Sequence, residues 1–158
     1  MLWRYFLSIA GTILQIDTAH ALVENEAFHP FLVTETETDY RAIFEPAETI
    51  PGEIRKKNGS CCVFLDGNGG FEKYFFETPK AELPYAMSSY DPSGGIVRVR
   101  YLKENQHCVS ELLNCFYHIG IEALMIRKER LCFHAACVQT PLGGILFSGP
   151  SGIRKTTQ

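Results

Sequence analysis

The most chemically specific spacing in the chain lies near its C-terminus. Gly149-Pro150-Ser151-Gly152-Ile153-Arg154-Lys155-Thr156-Thr157 follows an apolar run, Gly143-Gly144-Ile145-Leu146-Phe147-Ser148. A strand entering a Gly-Pro-Ser-Gly turn, with Lys-Thr-Thr opening a helix, approximates the phosphate-binding pattern G-x-x-x-x-G-K-[ST]. In that pattern the glycines let successive backbone N–H groups face a phosphate, and the following helix aims its positive end at the same anion. Lys155 is then placed to reach the β- and γ-phosphates of ATP, and the Thr156 hydroxyl to ligand Mg²⁺. One position departs from the pattern: Arg154 stands where glycine is expected, and a side chain there crowds the backbone's approach to phosphate while adding a compensating charge. A plain Gly/Pro turn between a strand and a tail is the competing reading of the same letters.

Other residues that could do chemistry have simpler explanations. The acidic run Glu35-Thr36-Glu37-Thr38-Asp39 and the basic triplet Arg55-Lys56-Lys57 read as solvated surface. Arg98 and Arg100 share one face of a predicted strand, while Val97, Val99 and Tyr101 share the other. His118 falls within an apolar helical pattern and reads as a core or boundary histidine. The six cysteines include no C-x-x-C spacing, and no His pair stands at finger spacing. Set in apolar segments, they read as reduced thiols of a cytoplasmic protein.

With 158 residues, 46% hydrophobic and 21% charged, the chain has the composition of an ordinary globular protein. Its formal net charge of −3 gives no electrostatic footprint for nucleic acid or an anionic membrane, and neither is expected as a partner. The segment from Met1 to Ala21 superficially copies a secretion signal ending in Ala19-His20-Ala21. Ser8, Gly11, Thr12 and Gln15 interrupt its apolar run, however, and Asp17 follows at once. Two strands joined at Ala10-Gly11-Thr12 are the preferred reading.

The elements that must position the C-terminal loop follow from periodicity. Strands are expected at Trp3 to Ile9, Thr12 to Asp17, from Pro30 to Glu35, and at Tyr40 to Phe44. A hairpin is expected around Asp66-Gly67-Asn68-Gly69-Gly70, and a second around Asp91-Pro92-Ser93-Gly94-Gly95. Val109, Leu112, Leu113, Phe116, Ile119, Ala123 and Leu124 then recur at helical spacing. They predict one long buried helix near 108–128, in which Gly120 is costly unless something packs closely there. Leu131 to Thr140 and Gly143 to Ser148 are expected to pair across a turn. The predicted fold is α/β with α+β character, a mainly antiparallel sheet and a strand–loop at the C-terminus. Residues 1–106 form its β-rich region and 107–158 the start of a second, loop-bearing domain.

The succession of helix, Leu131-Cys132-Phe133-His134-Ala135-Ala136-Cys137, Gly-Gly turn, and Ile145-Leu146-Phe147-Ser148-Gly149-Pro150-Ser151-Gly152 resembles the HPr kinase/phosphorylase-like family. These are loop-bearing protein kinases whose core is shared with the phosphoenolpyruvate carboxykinases. The similarity covers about Cys108 to Gln158. It implies ATP and Mg²⁺ as cofactors, bound by Gly149, Ser151, Gly152, Lys155 and Thr156, and a protein or peptide serine as phosphate acceptor. It also implies that His134, on the strand before the loop, faces the active site and touches metal or the transferred phosphate. A buried strand histidine satisfied by backbone is the alternative. The family's acidic metal-binding and base residues come after the loop helix and have no counterpart in these 158 residues. The expectation is therefore an N-terminal part of such a kinase, inactive alone, whose core another chain could complete. The alternative function is a β-rich recognition module carrying a relic loop.

Overall fold

Ala10 and Gly11 both take positive φ, 48° and 72°, the two-residue turn geometry that matches the twist of a hairpin. Around this turn β1 (Trp3–Ile9) and β2 (Thr12–Thr18) pair antiparallel, from Ile9–Thr12 to Trp3–Thr18. The N-terminal apolar segment is therefore a hairpin. The computed structural model describes residues 2–23, 26–50, 61–65, 68–132, 135–141 and 143–148. The chain divides into two compact units, Met1–Ile121 and Glu122–Gln158.

The first unit is built on a seven-stranded sheet. After β1 and β2 come β3 (Tyr40–Ala47), β4 (Cys61–Leu65), β5 (Phe71–Phe75), β6 (Ala86–Asp91) and β7 (Ile96–Leu102), in spatial order β1-β2-β3-β7-β6-β5-β4. The pairings β2–β3 and β3–β7 are parallel and the others antiparallel, so the mainly antiparallel α/β architecture holds with a parallel centre. Alternation sets the two faces. Leu14, Ile16, Ala42, Phe44, Val97, Val99 and Tyr101 all turn to one face and are buried. Arg98 and Arg100 turn to the opposite face, where Arg98 pairs with Glu45 at 3.3 Å.

Two expectations need correction. Pro30 to Glu35 is not a strand. Glu26–Phe31 is a 3₁₀ turn containing Pro30, and the chain beyond it touches β1 only through the Leu7–Leu32 bridge and the Val33 N–H to Phe6 carbonyl bond. Pro30 lies inside the 3₁₀ turn and has no N–H to give a ladder, so contact with β1 begins only after it, at Leu32 and Val33. The long helix over 108–128 is also absent. Lys103–Val109 is 3₁₀, and the rest is two short helices, α1 (Leu112–Ile119) and α2 (Ile121–Arg127). Gly120 separates them in the left-handed conformation (φ 70°, ψ 48°). A Cβ on Gly120 would lie 3.1 Å from the Phe71 ring. The periodicity survives the break, which explains why the pattern looked continuous.

α1 packs Leu112, Cys115, His118 and Ile119 inward. Its last carbonyls find partners at the Gly120 cap and from the sheet. Gly120 N–H donates to the Phe116 carbonyl, Lys73 Nζ to the Tyr117 carbonyl at 3.0 Å, and the Ser88 hydroxyl to the His118 carbonyl. The Lys73 ammonium also suits the negative end of the helix and lies 4.3 Å from the Tyr117 ring centroid.

The second unit contains α2 from Glu122 onward and a two-stranded sheet, β8 (Ala135–Thr140) and β9 (Gly143–Ser148). The helix stops where Glu129 takes φ 56° and the Arg130 N–H reaches back to the Met125 carbonyl. No helix among the described residues is long and apolar enough to cross a membrane.

Candidate functional site

The strand that the phosphate-loop pattern needs is present. β9 ends at Ser148, the residue immediately before Gly149 in the chain. It pairs antiparallel with β8 in a continuous register from Thr140–Gly143 to Ala135–Ser148. Gly143, at φ 130°, opens β9 in a conformation open to glycine, and the Thr140 hydroxyl donates to its carbonyl at 2.8 Å. Val138 and Ile145 face each other across the pair, and about half of each is exposed. Because the ladder closes at Ala135–Ser148, the next residues along the two strands are His134 and Gly149. His134 and the whole of Gly149, Pro150, Ser151, Gly152, Ile153, Arg154, Lys155, Thr156 and Thr157 lie outside the described residues. What the described register contributes is that the two ends where these candidates attach are paired neighbours.

His118 is a buried structural histidine, as its place in the apolar pattern implied. Its Nδ1 lies 2.7 Å from the Asn114 carbonyl, so that nitrogen carries the proton. Nε2, 2.9 Å from the Tyr85 hydroxyl, is left to accept. Burial holds the imidazole well below its usual range, at about 4, and the nearby Lys73 charge adds to this against the opposing Asn114 bond. Burial likewise pushes the Tyr85 phenol up, so this pair is a neutral hydrogen bond and not a poised acid and base. His20 is tied in a similar way after β2: Nε2 donates to the Val109 carbonyl at 3.4 Å, and the Thr18 and Tyr101 hydroxyls approach Nδ1.

The acidic run is surface, and two of its members are tied to the β1–β2 hairpin. Glu35 pairs with Arg4 at 3.2 Å, and Asp39 accepts the Ile13 N–H at 2.8 Å. Cys61, Cys108, Cys115 and Cys132 are free thiols. Burial raises the Cys115 thiol to about 12 and also raises Cys108, which sits 3.3 Å from His107 Nε2; neither is an activated nucleophile. Among the described residues no cluster of three His, Cys, Asp or Glu is placed to hold a metal ion.

Sequence reasoning missed one polar group. Asp17, fully buried, receives Gln15 Nε2 at 2.9 Å, Arg41 Nε at 2.6 Å and Arg4 Nε at 3.1 Å. Burial alone would raise its carboxyl, but the hydrogen bonds from Gln15, Arg41 and Arg4 and the Arg41 charge outweigh it and hold the group below the usual carboxylate range. The signal was present in the alternation of Gln15 and Asp17 on a strand whose even neighbours are Leu14 and Ile16. Compared with protein-family models, curated proteins and solved structures, the chain has no match.

Proposed function

We propose that this chain contributes the phosphate-binding strand and loop of an ATP-dependent, HPr-kinase-like serine kinase of the cytoplasm. Gly149 to Thr157 would cradle the phosphates of Mg-ATP, with Lys155 on the β/γ pair and Thr156 toward the metal. His134, one residue beyond the Ala135–Ser148 pair, would stand beside the transferred group. The base and metal carboxylates that phosphoryl transfer requires would come from sequence outside these 158 residues or from a second chain. The observation that carries this reading is β9, a strand that ends at the residue before the motif and pairs with the strand that follows His134. It is tested by Mg-ATP binding to the chain and its loss in Lys155→Ala.

A second reading is favoured by one observation: the seven-stranded sheet and α1 form a compact unit of their own, Met1–Ile121, without the loop. In that reading this unit is a recognition module. Its binding would survive Lys155→Ala unchanged.

A further inference from the structure

The first unit carries an apolar recess where β1, the 3₁₀ turn and the start of α1 converge. Tyr5, Leu22, Val23, Phe28, Leu32 and Leu112 line it, with His29 at the wall. Its free space is about 50 Å³, room for the tip of one apolar side chain and far below the size of a pocket for a drug-sized molecule. The backbone around it is tied down. The Leu22 N–H donates to the Tyr5 hydroxyl at 2.9 Å, the Val23 N–H to the Ser110 carbonyl at 2.7 Å, and the Phe28 and Phe116 rings meet edge-on with centroids 5.2 Å apart. Yet Val23 is 59% and Leu32 37% exposed, so apolar surface continues out of the recess instead of ending at a polar wall.

Charge then selects the occupant. The described residues that supply most of this surface, 19–23, 26–34 and 104–121, hold Glu26, Glu104 and Glu111 and no lysine or arginine. Glu111 bridges to Val23 and precedes Leu112 in the lining, and Glu26 is exposed on the 3₁₀ turn two residues from Phe28. An anionic membrane or a nucleic acid would be repelled there, whereas a cationic, partly apolar segment would be attracted.

We propose that this recess docks a peptide segment of a partner protein, one apolar side chain seated in it and flanking lysine or arginine residues facing the glutamates. This deepens the recognition-module reading of the first unit and does not depend on nucleotide at the loop. The test selects random dodecapeptides displayed on phage against the full chain and measures the enriched sequences by fluorescence polarisation. Enriched peptides should carry an apolar residue flanked by basic ones, and Leu32→Asp should weaken them about tenfold or more. The surface double variant Glu26→Lys/Glu111→Lys should shift the selected flanks to aspartate and glutamate. Lys155→Ala should leave all of this unchanged, which separates failure here from failure of the nucleotide site. No enrichment, affinity unmoved by Leu32→Asp, or the same basic flanks selected by the double reversal would each overturn the proposal.

Discussion

Replacing Gly120 by alanine tests the reason the helical segment breaks where it does. Two costs are legible in the structure. At φ 70° an alanine sits in the left-handed region, which costs about 1–2 kcal/mol. Its Cβ would also stand 3.1 Å from Phe71 Cζ, in a core ring only 6% exposed, and displacing such a ring costs about 1–3 kcal/mol. Reduced freedom of the unfolded chain returns roughly 0.4–1 kcal/mol. The expected net loss is about 1–4.5 kcal/mol, or a fall of roughly 4–18 °C in Tm for a unit of this size. Thermal melts followed by circular dichroism measure it, with Gly94→Ala as control. The nearest atom to a Cβ at Gly94 is 3.5 Å away, in ordinary contact, so that variant should change stability by less than about 0.5 kcal/mol. Trimming the ring in the double variant Gly120→Ala/Phe71→Leu should recover part of the loss, beyond the additive sum of the two single changes. Equal melting of the Gly120 and Gly94 variants, or strict additivity with Phe71→Leu, would refute the close-approach argument.

Three further outcomes follow from the same contacts. Ser88→Ala leaves the His118 carbonyl at the end of α1 without its hydroxyl donor and should cost about 1–3 kcal/mol in urea unfolding; a loss below 0.5 kcal/mol, on the same scale, would mean water replaces it. The His118 imidazole is depressed from about 6.5 to about 4, so its contribution is fully present above the unfolded value and is lost as pH falls through the folded one. The span of about 2.5 units corresponds to at most ~3–4 kcal/mol. The urea midpoint of the wild-type chain should therefore drop between pH 6.5 and 4, and His118→Gln should flatten that drop. Asp17, also depressed, should add a separate loss below the usual carboxylate range, which Asp17→Asn removes; an unchanged acid limb in that variant would contradict the Arg4–Asp17–Arg41 account.

Local patterns that depend on neighbours in sequence were readable in advance. The Ala10-Gly11 turn, the alternation of Val97, Val99 and Tyr101, and the strand entering Gly149 all rest on contacts within a few residues. The features that escaped depend on distant partners. Gly120 breaks the helix because Phe71, far away in sequence, fills the space where its side chain would go. Pro30 and Phe31 close the 3₁₀ turn, and the chain meets the edge of β1 only after it, at Leu32 and Val33. Asp17 looked like the end of a hydrophobic segment, yet Arg41 from β3 and Arg4 from β1 make it a buried anchor. For the loop, the strand on its near side was legible from apolar letters and glycines. The roles of Lys155 and Thr156 rest on motif chemistry and that of His134 on the family resemblance, and all three positions lie outside the described residues.

The central claim is tested most directly by titrating Mg-ATP into the full chain in a calorimeter, beside Lys155→Ala and Arg154→Gly. The account predicts saturable, Mg²⁺-dependent binding to the wild-type chain, its loss in Lys155→Ala, and tighter binding in Arg154→Gly, where backbone can approach the phosphates. Absence of binding in both the wild-type and Arg154→Gly chains, or binding that Lys155→Ala leaves intact, would contradict it.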